Sequence, residues 1–152
     1  MDIALLVVSF LVCVLAMLGW LCLASTPLWP RKVRESLPRL IGAICIPAII
    51  AAIYTGIILT HWAGHPGSFK SLDGVMLLFR DRWLVTAGWV HYLAFDLFIG
   101  GWELADSRER GVPHLLMLPL LFLTFIFGPI GLLSYLLLRL AFRKQQPLIT
   151  NH

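Results

Sequence analysis

The chain has 152 residues, of which 59% are hydrophobic and 13% charged, and its mean hydropathy is +0.86. That composition excludes an ordinary soluble domain, and no polar stretch is long enough to fold separately, so residues 1–152 read as one transmembrane helical domain. The net charge of +4 does not point to nucleic acid, because the lysines and arginines sit between apolar segments, where they act as topology signals and headgroup contacts.

Residues 3–24 form a first span. Only Met1 and Asp2 precede it, without the basic start and short apolar core of a cleaved signal peptide, and no transit-peptide-like leader is visible. The expectation is a mature helix in a multi-pass protein of a bacterial inner membrane. Cys13, Cys22 and Cys45 have no paired spacing and read as small buried apolar residues. A polar linker with Arg31, Lys32, Arg34 and Arg39 follows, then a second span over 40–61. Pro47 interrupts that span and frees the carbonyl of Ala43.

The next connection holds a short apolar run bracketed by Asp73, Arg80, Asp81 and Arg82, which predicts an interfacial helix over about 71–80 that could act as a lid. A third span covers 83–105. A turn around Arg108 and Arg110 leads to a fourth apolar stretch over 112–142, longer than a bilayer requires and broken at Gly128-Pro129. The predicted fold class is therefore an all-α integral membrane protein with four transmembrane helices plus one short interfacial helix. In that arrangement the basic residues tie, six on each side when Arg143 and Lys144 are included, and orientation stays open.

The third span carries the chemistry. Asp96 falls near its midpoint, where an acidic residue costs about 2.5–3.5 kcal/mol on insertion scales. At 100° per residue, Tyr92, Asp96, Glu103 and Asp106 share one face with Gly88 and Trp89. His91, Phe95, Phe98 and Trp102 form an aromatic stripe beside it. These two faces are expected to look inward, and Ala87, Val90, Leu93, Ala94, Leu97 and Leu104 to face lipid. The Gly128 break lies at the depth of Asp96 and leaves the Phe125 carbonyl without its helical donor. A neutral Asp96 would satisfy it without any cation. Glu103 and Asp106 are expected near the interface, solvated or paired with Arg108 or Arg110.

The run Ala87-Gly88-Trp89-Val90-His91-Tyr92-Leu93, then Asp96-Leu97-Phe98, Trp102 and Asp106, then Gly128-Pro129-Ile130-Gly131-Leu132-Leu133 with Tyr135, resembles the abscisic-acid-deficient-four family. Phe69, Ser71-Leu72, Gly74-Val75, Leu78-Phe79 and Trp83 are similar to its bacterial branch. The position after Gly100, where a basic residue is expected in relatives, is Gly101. Plant members of that family are required to make neoxanthin from violaxanthin. The resemblance implies a membrane protein acting on a carotenoid or related isoprenoid, with xanthophyll isomerisation as the model reaction.

Such a reaction is redox-neutral: an acid opens the epoxide while a base takes a proton from the adjacent polyene carbon. Asp96 is the candidate acid and His91 the candidate base, about 7.5 Å apart along the helix. Trp89, Tyr92, Phe95, Phe98, Trp102, Glu103, Phe125, Gly128, Pro129 and Tyr135 are the candidate ligand-binding residues of one buried pocket. No cofactor is called for, and no span carries a metal-ligand or bis-histidine haem spacing. The partners expected are membrane lipid and an apolar isoprenoid-type molecule. Small-residue helix faces would also allow homo- or hetero-oligomers. The competing reading is a non-catalytic lipid or carotenoid carrier, or a small subunit of a membrane complex.

Overall fold

The computed structural model describes residues 2–34 and 36–142. Its elements in chain order are α1 (Ile3–Ala24), a 3-10 turn (Thr26–Leu28), a π-helical segment (Arg39–Cys45) leading into α2 (Ile46–His61), α3 (Leu72–Leu78), α4 (Arg82–Glu109), α5 (His114–Phe127) and α6 (Pro129–Ala141). Three helices are long and apolar enough to cross a membrane: Ile3–Ala24, Arg39–His61 and Arg82–Glu109. Arg143 and Lys144 of the charge tally lie outside the described residues.

Local sequence sets most of the boundaries. The Asp2 side chain accepts from Ala4 N to open α1, Ser71 accepts from Gly74 N to open α3, and Asp81 accepts from Trp83 N and Leu84 N to open α4. Each satisfies backbone donors that a helix start leaves orphaned. Ahead of Pro47 the backbone widens, and Ile46 N donates to Ile41 O in an i→i+5 bond. The helix winding thus changes within the span, just ahead of the proline.

α4 is the central post, against which α1, α2, α5 and α6 all pack. Its buried apolar residues are Leu84, Ala87, Val90, Leu93, Ala94, Leu97 and Leu104, so the face expected to meet lipid is buried, while Gly100, Glu103 and Asp106 of the face expected inward are buried as well. The residues assigned to lipid form the core with Val12, Ala16, Trp20, Leu23, Ile50 and Ile57. Trp89, Phe95, Phe98 and Trp102 are exposed. The reason is physical: hydropathy does not separate a lipid-facing from a helix-facing side when both are apolar, and close packing selects small residues. Gly101 shows this most sharply, because a Cβ there would overlap Ala43 Cβ. A basic side chain at that position has no room. Cys13 and Cys45 are likewise exposed, with Cys22 part-buried.

The fourth apolar stretch is not one helix. Tyr92 OH donates to Ile126 O (2.9 Å), and Thr124 Oγ1 donates to Glu103 (2.9 and 3.1 Å). Beyond Gly128 the partners run the other way along α4: Tyr135 OH donates to Asp106, Arg139 reaches Asp106, and Arg110 donates to the Phe142 carbonyl (3.2 Å). α5 therefore descends alongside α4 to the level of Asp96, and α6 returns to the end from which α5 came. The single kinked span over 112–142 is corrected to a helical hairpin. Gly128 makes the reversal with φ 45° and ψ −91°, a region closed to residues with a Cβ. Gly131 lets the legs close, since a Cβ there would overlap the Thr124 backbone.

Candidate functional site

Two open grooves run along α4 and meet at Gly88 under Phe79. One, of about 550 Å³, lies between α4 and α5 and is lined by Val85, Gly88, Trp89, Tyr92, Phe125 and Ile126. The other, of about 350 Å³, lies between α2 and α4 beneath the 62–79 segment, with Tyr54, Ile58, Trp62, Phe69 and His91 in its walls. Phe79 and Gly88 belong to both. A Cβ at Gly88 would meet nothing within 4 Å, so this glycine keeps the junction open.

α3 is held over the junction by its own small residues. Gly74 abuts Ser68, and Gly67 abuts the buried Leu78. Phe69 and Phe79 stay 75% and 63% exposed, which leaves their rings available as walls. At the mouth, His61 stacks on Trp83 (4.6 Å) and Trp62 on Phe69 (5.5 Å).

The expected single buried pocket is divided. Trp89, Tyr92 and Phe125 come together as expected, with the Trp89 and Tyr92 rings 6.1 Å apart. His91 is exposed on the α2 flank, stacked on Phe95 at 4.5 Å and 5.5 Å from the Tyr54 ring. Phe95 and Phe98 line a third, apolar recess of about 380 Å³ against Ala48 and Ala51. His91 and Asp96 thus occupy opposite flanks of α4.

Asp96 sits at the hairpin tip. Its Oδ1 lies 2.7 Å from where a Cβ on Gly128 would be, so Gly128-Pro129 approaches the carboxyl as the sequence predicts. The hydrogen bond to the break comes from Tyr92, which donates to Ile126 O, rather than from Asp96 to the Phe125 carbonyl. The buried Asp96 Oδ2 has no protein donor. Asp96 itself is not among the residues lining either groove.

Glu103 is corrected from an interfacial to a fully buried position, at 0% exposure, held by the Thr124 hydroxyl. Thr124→Val is expected to leave this carboxyl without that donor, at a cost of about 1–3 kcal/mol. Unfolding in detergent checks it, with Thr124→Ser restoring stability. Asp106 pairs with Arg110 (2.7 Å) as expected, and also with Arg139 (3.3 Å). Tyr135 completes that cluster, and Trp102 packs edge-on against Tyr135 at 5.6 Å, with the Arg139 guanidinium over its ring. Trp102, Glu103 and Tyr135 therefore fasten the hairpin and do not line the grooves. His114 is also structural in its contacts, joining the start of α5 to the Ala24 carbonyl at 2.9 Å.

Sequence reasoning missed Tyr54, Trp62 and Phe79 as groove residues. Phe79 and Trp62 had a usable signal, since an aromatic pair flanking a short interfacial helix is what a lid over an apolar groove requires.

No curated protein and no solved structure matches the chain. A family model described as ABA DEFICIENT 4-like matches residues 8–135, which takes in α1 to α5, both grooves, Asp96 and the hairpin through Tyr135. An all-helical chain with three membrane-length apolar helices fits a membrane protein of that kind. By the extent of that match, the chain belongs to the ABA DEFICIENT 4-like family.

Proposed function

We propose that this protein is a multi-pass membrane protein that holds an isoprenoid or carotenoid-type molecule in the aromatic grooves over Gly88 and isomerises it by redox-neutral acid/base chemistry. The observation that carries the reading is the pair of grooves meeting at Gly88 under Phe79, walled by Trp89, Tyr92, Phe125, Trp62 and Phe69. Aromatic and aliphatic walls with a few polar groups suit an elongated apolar ligand. The bilayer supplies such ligands directly.

Asp96 is the proton donor in this reading. It lies one turn along α4 from Tyr92, which lines the α4–α5 groove, and has one carboxyl oxygen without a protein hydrogen-bond partner. A proton given to a ligand oxygen as its C–O bond opens is balanced by one taken from the neighbouring carbon. His91, on the α2 side of Gly88, is placed to accept it from a ligand lying across the junction. α3 acts as the lid. The three long helices and the hairpin together form the membrane body, with the hairpin tip in the apolar interior and the bacterial inner membrane as the setting.

Asp96→Asn separates binding from chemistry. The variant is expected to retain bound isoprenoid and to lose conversion by about 10²-fold or more, the usual contribution of a positioned acid. Liquid chromatography of extracted ligand isomers before and after incubation checks it. Undiminished conversion would remove Asp96 from the mechanism, and a ligand bound without conversion by the unaltered protein would favour a carrier.

A further inference from the structure

The α5–α6 hairpin changes which end of the molecule each basic residue belongs to. Because α6 returns to the Asp106 end of α4, Arg139 joins Arg108 and Arg110 there. The 25–39 linker reaches the same end, since His114 at the start of α5 bonds the last carbonyl of α1, Ala24. That end carries Arg31, Lys32, Arg34, Arg39, Arg108, Arg110 and Arg139, whereas the end bearing α3 carries Lys70, Arg80 and Arg82. Among the described residues, the six against four of a four-span arrangement becomes seven against three. The linker after the first helix alone carries four of the seven. Cationic flanks are retained on the cytoplasmic side during insertion, and the first helix usually dominates.

We infer that the Asp106 end faces the cytoplasm and the α3 end faces the opposite side, so that the groove over Gly88 takes its apolar ligand from the non-cytoplasmic leaflet. This rests on the reading of that groove as the ligand site. The mouth residues His61, Trp62, Phe69, Phe79 and Trp83 lie at the α3 end. A ligand with one polar end group would enter with that group at the headgroup level of the outer leaflet. The α4 residues lining both grooves fall between Leu84 and Leu93, in the half of α4 away from the Asp106–Arg110–Arg139 cluster.

The test uses the full chain with Cys13, Cys22 and Cys45 replaced by alanine, single cysteines at Lys70→Cys or Lys32→Cys, and an epitope after the last residue. Both lysines are exposed, so neither change disturbs the core. In intact bacterial cells a membrane-impermeant maleimide is expected to label Lys70→Cys at least tenfold more than Lys32→Cys. The epitope is expected to resist external protease. Labelling of Lys32→Cys with Lys70→Cys silent, or equal labelling of both, would overturn the orientation. An epitope exposed beside a reactive Lys70→Cys would overturn the return of the hairpin. Ligand retained on the purified protein reports on the groove separately, so a wrong orientation and an empty groove give different results.

Discussion

Replacing Gly128 with alanine is expected to open the hairpin. At φ 45° and ψ −91° a Cβ is strained whatever surrounds it, at a cost of order 1–3 kcal/mol. The surroundings add to this, because the new methyl would lie 2.7 Å from Asp96 Oδ1 and about as close to Oδ2, at 3.1 Å. The Asp96 carboxyl is the end of a side chain and can turn aside, so the backbone strain at Gly128 is the larger part of the effect. The expected result is a lower unfolding temperature in detergent with nearly unchanged helix content. The Tyr92–Ile126 bond would be lost with the turn. A Gly128→Ala protein as stable as the parent would contradict the described turn.

Gly101→Ala is the second large effect. The methyl would overlap Ala43 Cβ and approach Ala43 Cα to 3.1 Å, and neither atom belongs to a flexible side chain. The π-helical segment and α4 must separate, and overpacking of this kind costs about 1–3 kcal/mol. Ala43→Gly removes the obstructing methyl, so the double variant Gly101→Ala/Ala43→Gly is expected to regain most of the loss. Equilibrium unfolding in mixed micelles checks the cycle. Additive effects of the two changes would show that the helices do not touch there.

The sequence made the elements legible and hid their faces. Span one is found at its expected limits, and α3 forms where Asp73, Arg80, Asp81 and Arg82 bracket an apolar run. Those boundaries depend on capping and charge, which are local. The orientation of α4 is not local. In an apolar medium both Leu93 and Phe95 are acceptable outside, and only the fit of small residues against α1 and α2 decides that Leu93 goes in. The aromatic stripe consequently faces outward, with Phe95 and Phe98 walling an apolar recess, and is not a core.

The hairpin shows the same limit. Gly128-Pro129 announced a break at the depth of Asp96, and the structure has one there. Whether a chain continues or doubles back after such a break depends on what its second half can bond. Here Tyr135 and Arg139 find Asp106, and Arg110 finds the Phe142 carbonyl. Asp106 was visible in the sequence as an acid near Arg110. Its more consequential partners lie 29 and 33 residues away. Glu103 is buried and His91 exposed for a related reason: helical spacing gives angular position, and the neighbours around that position determine burial.

The central claim is that the junction at Gly88 holds an isoprenoid. Gly88→Leu fills it from a site where a side chain meets no protein atom within 4 Å of its Cβ, and leucine favours a helix over glycine by roughly 0.5–1 kcal/mol. The decisive measurement is organic extraction and mass spectrometry of the protein purified from its native membrane, unaltered and as Gly88→Leu. The account predicts a near-stoichiometric isoprenoid or carotenoid on the unaltered protein and its loss from an equally stable Gly88→Leu variant. Bulk phospholipid alone in both, or the same isoprenoid retained in both, would contradict it.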